Sequence, residues 1–208
     1  MQFFHERLRS ARKMNGLSLE ALKVKLEGVV SKQSLHKYET GQMKPDSKII
    51  SSLCKVLDVR PDYFYKDKSI VIENVSFRKL EKCSLKEQEK VIQKTSDFLE
   101  RYLELENLLG VQYKKTKIKK VISVESLEEI DKHAQNLRKS WGLGTGALYN
   151  VIEVLEDKGV KVLEIDADHS FDGLSTWVNR KVPVIVVNRS KHKGCVDRLR
   201  FTVLHELG

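Results

Sequence analysis

Residues 17–45 read LSLEALKVKLEGVVSKQSLHKYETGQMKP. Ser18 is placed to cap a short helix that carries Leu19, Leu22 and Leu26 on one face. Glu27-Gly28 opens a turn, and Ser31 is placed to cap the next helix, SKQSLHKYE, with Leu35 and Tyr38 facing inward. Gly41 ends that helix, and Pro45 blocks its continuation. Two short capped helices joined by a tight turn describe a helix-turn-helix.

The flanks extend the pattern. Phe4, Leu8 and Ala11 recur at helical spacing, so residues 2–14 are predicted to form a helix that Asn15-Gly16 ends. A fourth helix runs from about Ser47 with Ile50, Leu53 and Leu57 as its stripe, and RPDYFY closes the unit. Periodicity alone fits a small helical bundle without a ligand as well as it fits a DNA-binding domain.

The individual residues go further. LSLEAL, SKQSLHKYETG and the proline after them resemble the DNA-binding domain of lambda-repressor-like regulators, the XRE family. The resemblance implies that the third helix enters the major groove of double-stranded operator DNA. It puts Lys32, Gln33 and Lys37 on the outer face. Gln33 would bond an adenine edge and the lysines would reach guanine or phosphate. Ser31 and Ser34 would be contacts to the DNA backbone near the helix start. Arg12 and Glu39 match a family pair that ties the recognition helix to the first helix, a scaffold role. Leu19 stands where the family often has a polar phosphate contact, and the turn between the second and third helices reads as longer than in the smallest repressors.

The whole chain has 208 residues, enough for one large domain or two small ones, and 40% of them are apolar. No apolar run approaches the length of a membrane span. The N-terminus, MQFFHERLRS, has charges where a signal peptide needs an apolar core, so a cytoplasmic protein is expected. Cys54, Cys83 and Cys195 form no Cys-x-x-Cys pair, which points away from a disulfide framework and a thiolate zinc site. A net charge of +9 fits a polyanionic partner.

Residues 66–122 read as a connector. SIVIENVSFRKL alternates loosely, as an extended segment does. Ser84 and Glu87 form a capping box ahead of a long helix over about 84–109. Val91, Phe98 and Leu105 repeat by seven, with Ile92 and Leu99 beside them. That stripe needs an apolar partner, either this chain's own C-terminal domain or the same helix of a second subunit in a homodimer. KKTKIKK, 114–120, is a solvated linker or a secondary phosphate contact.

From about Ser123 a second domain is expected. Ser126 and Glu129 form another capping-box candidate, and Ile130, Ala134, Leu137 and Trp141 a helical stripe. GLGTG breaks it; Leu148, Val151, Ile152 and Leu155 mark a further helix that Gly159 stops. VKVLEI, FDGLSTWVN and VPVIVVN read as strands, the last one buried, and GCVDRLRFTVLHELG returns to helix. The fold class is α+β: an all-α helix-turn-helix domain over 1–65, a long linking helix within 66–122, and an α+β domain over 123–208.

The chain ends RFTVLHELG, which matches the opening of a His-Glu-x-x-His zinc motif. Together with WGLGTGALYNVIEVLEDKGVKVLEID and FDGLSTWVNRKVPVIVVN it resembles the ImmA/IrrE family of metallopeptidase-like proteins. The resemblance implies a zincin-like domain with His205 as first zinc ligand and Glu206 as general base. The second histidine and a later acidic ligand lie outside the sequence, so the domain reads as incomplete and truncated inside the motif. A catalytic zinc needs about three protein ligands. No cofactor is therefore expected in this chain, and zinc only if the chain continued through the full motif. His192 and His169 fall on predicted loops and are poor ligand candidates. Helices missing from such a domain would leave an apolar surface exposed unless a partner covers it. The expected function is a phage-type, mobile-element or antitoxin-like regulator that binds operator DNA as a homodimer, with a regulatory protein as a further possible partner. The alternative is a zinc-dependent metallopeptidase that cleaves a repressor, active only in a longer form.

Overall fold

The computed structural model describes residues 3–67, 70, 72–73, 83–111 and 124–208. Residues 114–120, and most of the segment expected to be extended at 69–80, lie outside the described residues.

Four helices make the N-terminal unit: α1 (Phe4–Met14), α2 (Leu19–Lys25), α3 (Lys32–Glu39) and α4 (Ser47–Leu57). A 3-10 turn, Pro61–Tyr65, closes it. Local chemistry sets the boundaries. Ser18, Ser31 and Asp46 each accept a bond from a backbone N–H of the first turn that follows. Glu27 and Gly28 both adopt positive φ, 54° and 74°, which turns the chain between α2 and α3. Phe4, Leu8, Leu22, Leu35, Leu53 and Phe64 meet in one core. Leu19, where the family often has a polar residue, packs half-buried against it.

A second unit follows: β1 (Ile72–Glu73), α5 (Leu85–Leu108), α6 (Leu127–Trp141), α7 (Val151–Asp157), β2 (Lys161–Ile165), β3 (Gly173–Val178), β4 (Val182–Asn188), α8 (Arg189–His192) and α9 (Val196–Leu207). The sheet order is β1-β3-β4-β2, so a short strand from the presumed connector joins the three strands read from sequence. β3 and β4 are antiparallel, with Thr176 opposite Val184, and β2 runs parallel to β4. Asn179 and Arg180, both at positive φ, turn the β3–β4 hairpin.

Every residue of β4 is buried, because helices cover both faces of the sheet. On one face, Val91 and Leu99 of α5 pack with Leu163, Leu174, Val184 and Val186. On the other, Ile185 and Val187 pack with Trp141, Val151, Leu155 and Val203. The heptad stripe of α5 divides accordingly. Val91 and Leu99 are inside, whereas Phe98 is 40% and Leu105 55% exposed. Val91, Thr95 and Leu99, four residues apart, share the buried side of the helix, and Phe98 and Leu105 turn away from it.

Both predicted capping boxes are only partly as expected. Ser84 and Ser126 do accept from the N–H groups of Glu87 and Glu129. The Glu87 carboxylate, however, accepts from the Asp168 N–H at 2.9 Å, and Glu129 accepts from Glu125 N–H at 2.9 Å. The loop expected at His192 is also corrected: this residue ends α8 and is buried, while His169 is exposed on a loop. Among the described residues, no helix is long and apolar enough to cross a membrane.

Candidate nucleic-acid interface

The α3 helix carries the polar face that the sequence points to. Leu35, Tyr38 and Glu39 are buried, and Lys32, Gln33, His36, Lys37 and Thr40 are exposed. The division follows from the helical period: 32, 33, 36, 37 and 40 share one side. His36 was missed by the sequence reading. Its signal was its spacing, three residues after Gln33 and four after Lys32.

The start of α3 is fixed by its own residues. Ser31 Oγ accepts from the Ser34 N–H at 3.0 Å and lies 2.9 Å from Ser34 Oγ. Both hydroxyls are thus engaged in capping. Lys25, Lys44 and Lys48 are exposed on the neighbouring segments. A hydrogen bond from Lys23 holds the Glu20 carboxyl, in the first turn of α2, below its ordinary pKa. Burial, with the charge of Asp46 adding to it, raises the Tyr38 phenol.

Orientation comes from beneath. Arg12 of α1 donates through Nε to Glu39 Oε1 at 2.6 Å and through Nη2 to Glu39 Oε2 at 2.8 Å. Its Nη1 reaches the Leu17 carbonyl at 2.7 Å. The α1–α2 turn and α3 are so fixed to one planar guanidinium carried by α1. What results is a rigid helix that presents amide, imidazole and ammonium groups outward, the donor set that base edges and phosphates accept.

Residues 8–64 match the Helix-turn-helix family. The match supports a DNA-binding module of the XRE type in this segment and a double-stranded DNA partner. No curated protein and no solved structure matches the chain.

The residues expected to serve zinc chemistry lie on α9. His205 is exposed, its ring stacked 6.4 Å from that of Phe201. Glu206 is buried against β3, where a Cβ at Gly173 would sit 3.2 Å from Glu206 Cγ. The two side chains face different surroundings. Among the described residues, no group of three or more His, Cys, Asp and Glu is placed to hold a metal ion.

Proposed function

We propose that the protein is a sequence-specific transcriptional regulator that reads operator DNA with α3. The observation that carries this is the exposed Lys32–Gln33–His36–Lys37 face, locked to α1 by Arg12 and Glu39 inside a segment that matches the Helix-turn-helix family. In this reading Gln33 contacts a base edge, Lys32 and Lys37 contact guanine or phosphate, and Ser31 and Ser34 set the helix start against the backbone. The protein acts in the cytoplasm on palindromic sites as a homodimer, with half-sites about one helical turn apart. Selection from a random duplex pool tests it. A defined, palindromic consensus bound with steep salt dependence supports the reading. Enrichment of no sequence above background refutes it.

A second reading, that of an ImmA/IrrE-like peptidase domain, has one observation in its favour: His205 and Glu206 stand on a helix packed against β3 and β4. It requires a longer form in which a second histidine follows one turn on. In that form His205 would be a ligand and Glu206 the general base. Its test is metal content and cleavage of a regulatory protein by such a form, with Glu206→Gln keeping metal and losing cleavage.

A further inference from the structure

The helix-turn-helix core and the sheet core are separate apolar clusters. Where they meet, α1 lies along α5, and the joint is made of charge. Arg7 of α1 is 4% exposed. Its Nη1 donates to Glu100 Oε2 at 2.6 Å and its Nε to the Lys66 carbonyl at 3.0 Å, while Nη2 donates to the Asp67 carbonyl. The guanidinium also lies 5.1 Å from the Tyr63 ring centroid. Lys13 pairs with Glu89 at 2.6 Å and Lys66 with Glu104 at 2.9 Å on either flank. Glu100 Oε1 is buried without a hydrogen-bond partner among the described residues. Beside the pair, a cleft of about 410 Å³ is lined by Glu6, Asp67, Ile72, Ile92, Gln93 and Ser96.

Such a joint is built differently from a core. The desolvation of two buried charges offsets most of their attraction, and one carboxylate oxygen here stays unsatisfied. Polar contacts between units resemble transient interfaces rather than permanent ones. Parting α1 from α5 breaks ion pairs and leaves both apolar clusters closed. The same α1 holds α3 through Arg12 and Glu39, so the seat of α1 on α5 sets the direction of the recognition helix relative to the sheet.

We propose that Arg7 and Glu100 form a latch: closed, it fixes α3 relative to the sheet layer; open, it frees the helix-turn-helix unit intact, and the two states differ in operator affinity. Glu100 is thereby a positioning residue for DNA binding from outside the matched segment. The affinity difference rests on the operator reading above; the opening itself does not.

The test compares the full chain with Glu100→Gln, which keeps shape and withdraws charge, and with Glu100→Ala. Solution scattering reads the spread of the two units, amide hydrogen exchange reads whether each core stays closed, and a salt-controlled titration reads operator affinity. The expected result is an expanded scattering envelope, unchanged protection of α3 and β4 amides, and an affinity shift of about fivefold or more. Faster exchange throughout α3 and β4 would make the pair an ordinary stabilising contact and overturn the latch. An unchanged envelope, or an expanded one with unchanged affinity, overturns it as well. If the wild-type chain binds no operator, the functional reading fails, and the scattering and exchange results alone decide whether the latch exists.

Discussion

Arg12 and Glu39 face each other across 27 residues of sequence in a two-bond clasp of 2.6 and 2.8 Å, with the Glu39 side chain only 3% exposed. Breaking one member leaves a buried charge without its partner. Glu39→Ala is therefore expected to destabilise the N-terminal unit by about 3–5 kcal/mol. Urea denaturation followed by circular dichroism measures this; a loss below about 1 kcal/mol would show that the clasp is dispensable.

Base reading and phosphate contact separate in the next experiment. Gln33→Ala is expected to cost about 1–3 kcal/mol on the selected operator and to leave non-specific binding unchanged. Lys32→Ala or Lys37→Ala, where the lysine meets phosphate, should weaken binding to all sequences and lower the salt slope by about one. Equal loss of specific and non-specific binding in Gln33→Ala would remove Gln33 from base readout.

Self-association is expected through the outer side of α5. Val91 and Leu99 are committed to the sheet, but Phe98, stacked on Tyr102, and Leu105 remain exposed. Phe98→Asp should convert dimers to monomers and weaken operator binding while the fold survives. Light scattering at micromolar concentration decides; a wild-type chain that is already monomeric there ends the idea.

Acid should loosen the α8–α9 region. Both ring nitrogens of His192 are buried without a hydrogen-bond partner among the described residues. Burial holds its pKa below the usual histidine value, the charge of Arg198 adds to this, and Asp172 and Glu164 pull the other way. The unfolded chain then binds a proton that the folded one resists, so stability falls as pH drops below about 6.5 and through the lower folded value. His192→Leu should flatten that part of the melting-temperature profile between about pH 7 and 5. The same slope in wild type and variant would assign the acid loss to other groups.

Metal analysis gives the last expectation. After dialysis this chain should carry far less than one zinc, because His205 points to solvent beside Phe201 while Glu206 is buried at Gly173. Mass spectrometry of the native protein reads it out. One tightly held zinc per chain would contradict it and direct the search to ligands shared between subunits.

Local chemistry was legible in the sequence alone. The caps Ser18, Ser31, Ser84 and Ser126, the Glu27-Gly28 turn, the inward Leu35 and Tyr38 and the buried β4 strand were all read correctly. Each depends on neighbours within a turn of helix or on an uninterrupted apolar run. Tertiary structure decided what depends on distant partners. It chose Leu99 over Phe98 for burial on α5, because the sheet covers the side that Leu99 occupies and Phe98 falls outside it. It sent Glu87 to Asp168 instead of back to its own cap, since the nearby loop offered an unsatisfied N–H. It enclosed His192, turned His205 and Glu206 to different surroundings, and joined Arg7 to Glu100 across 93 residues. No periodicity encodes a pairing at that separation. Only the packing of α1 against a helix whose other face serves the sheet brings the two charges together.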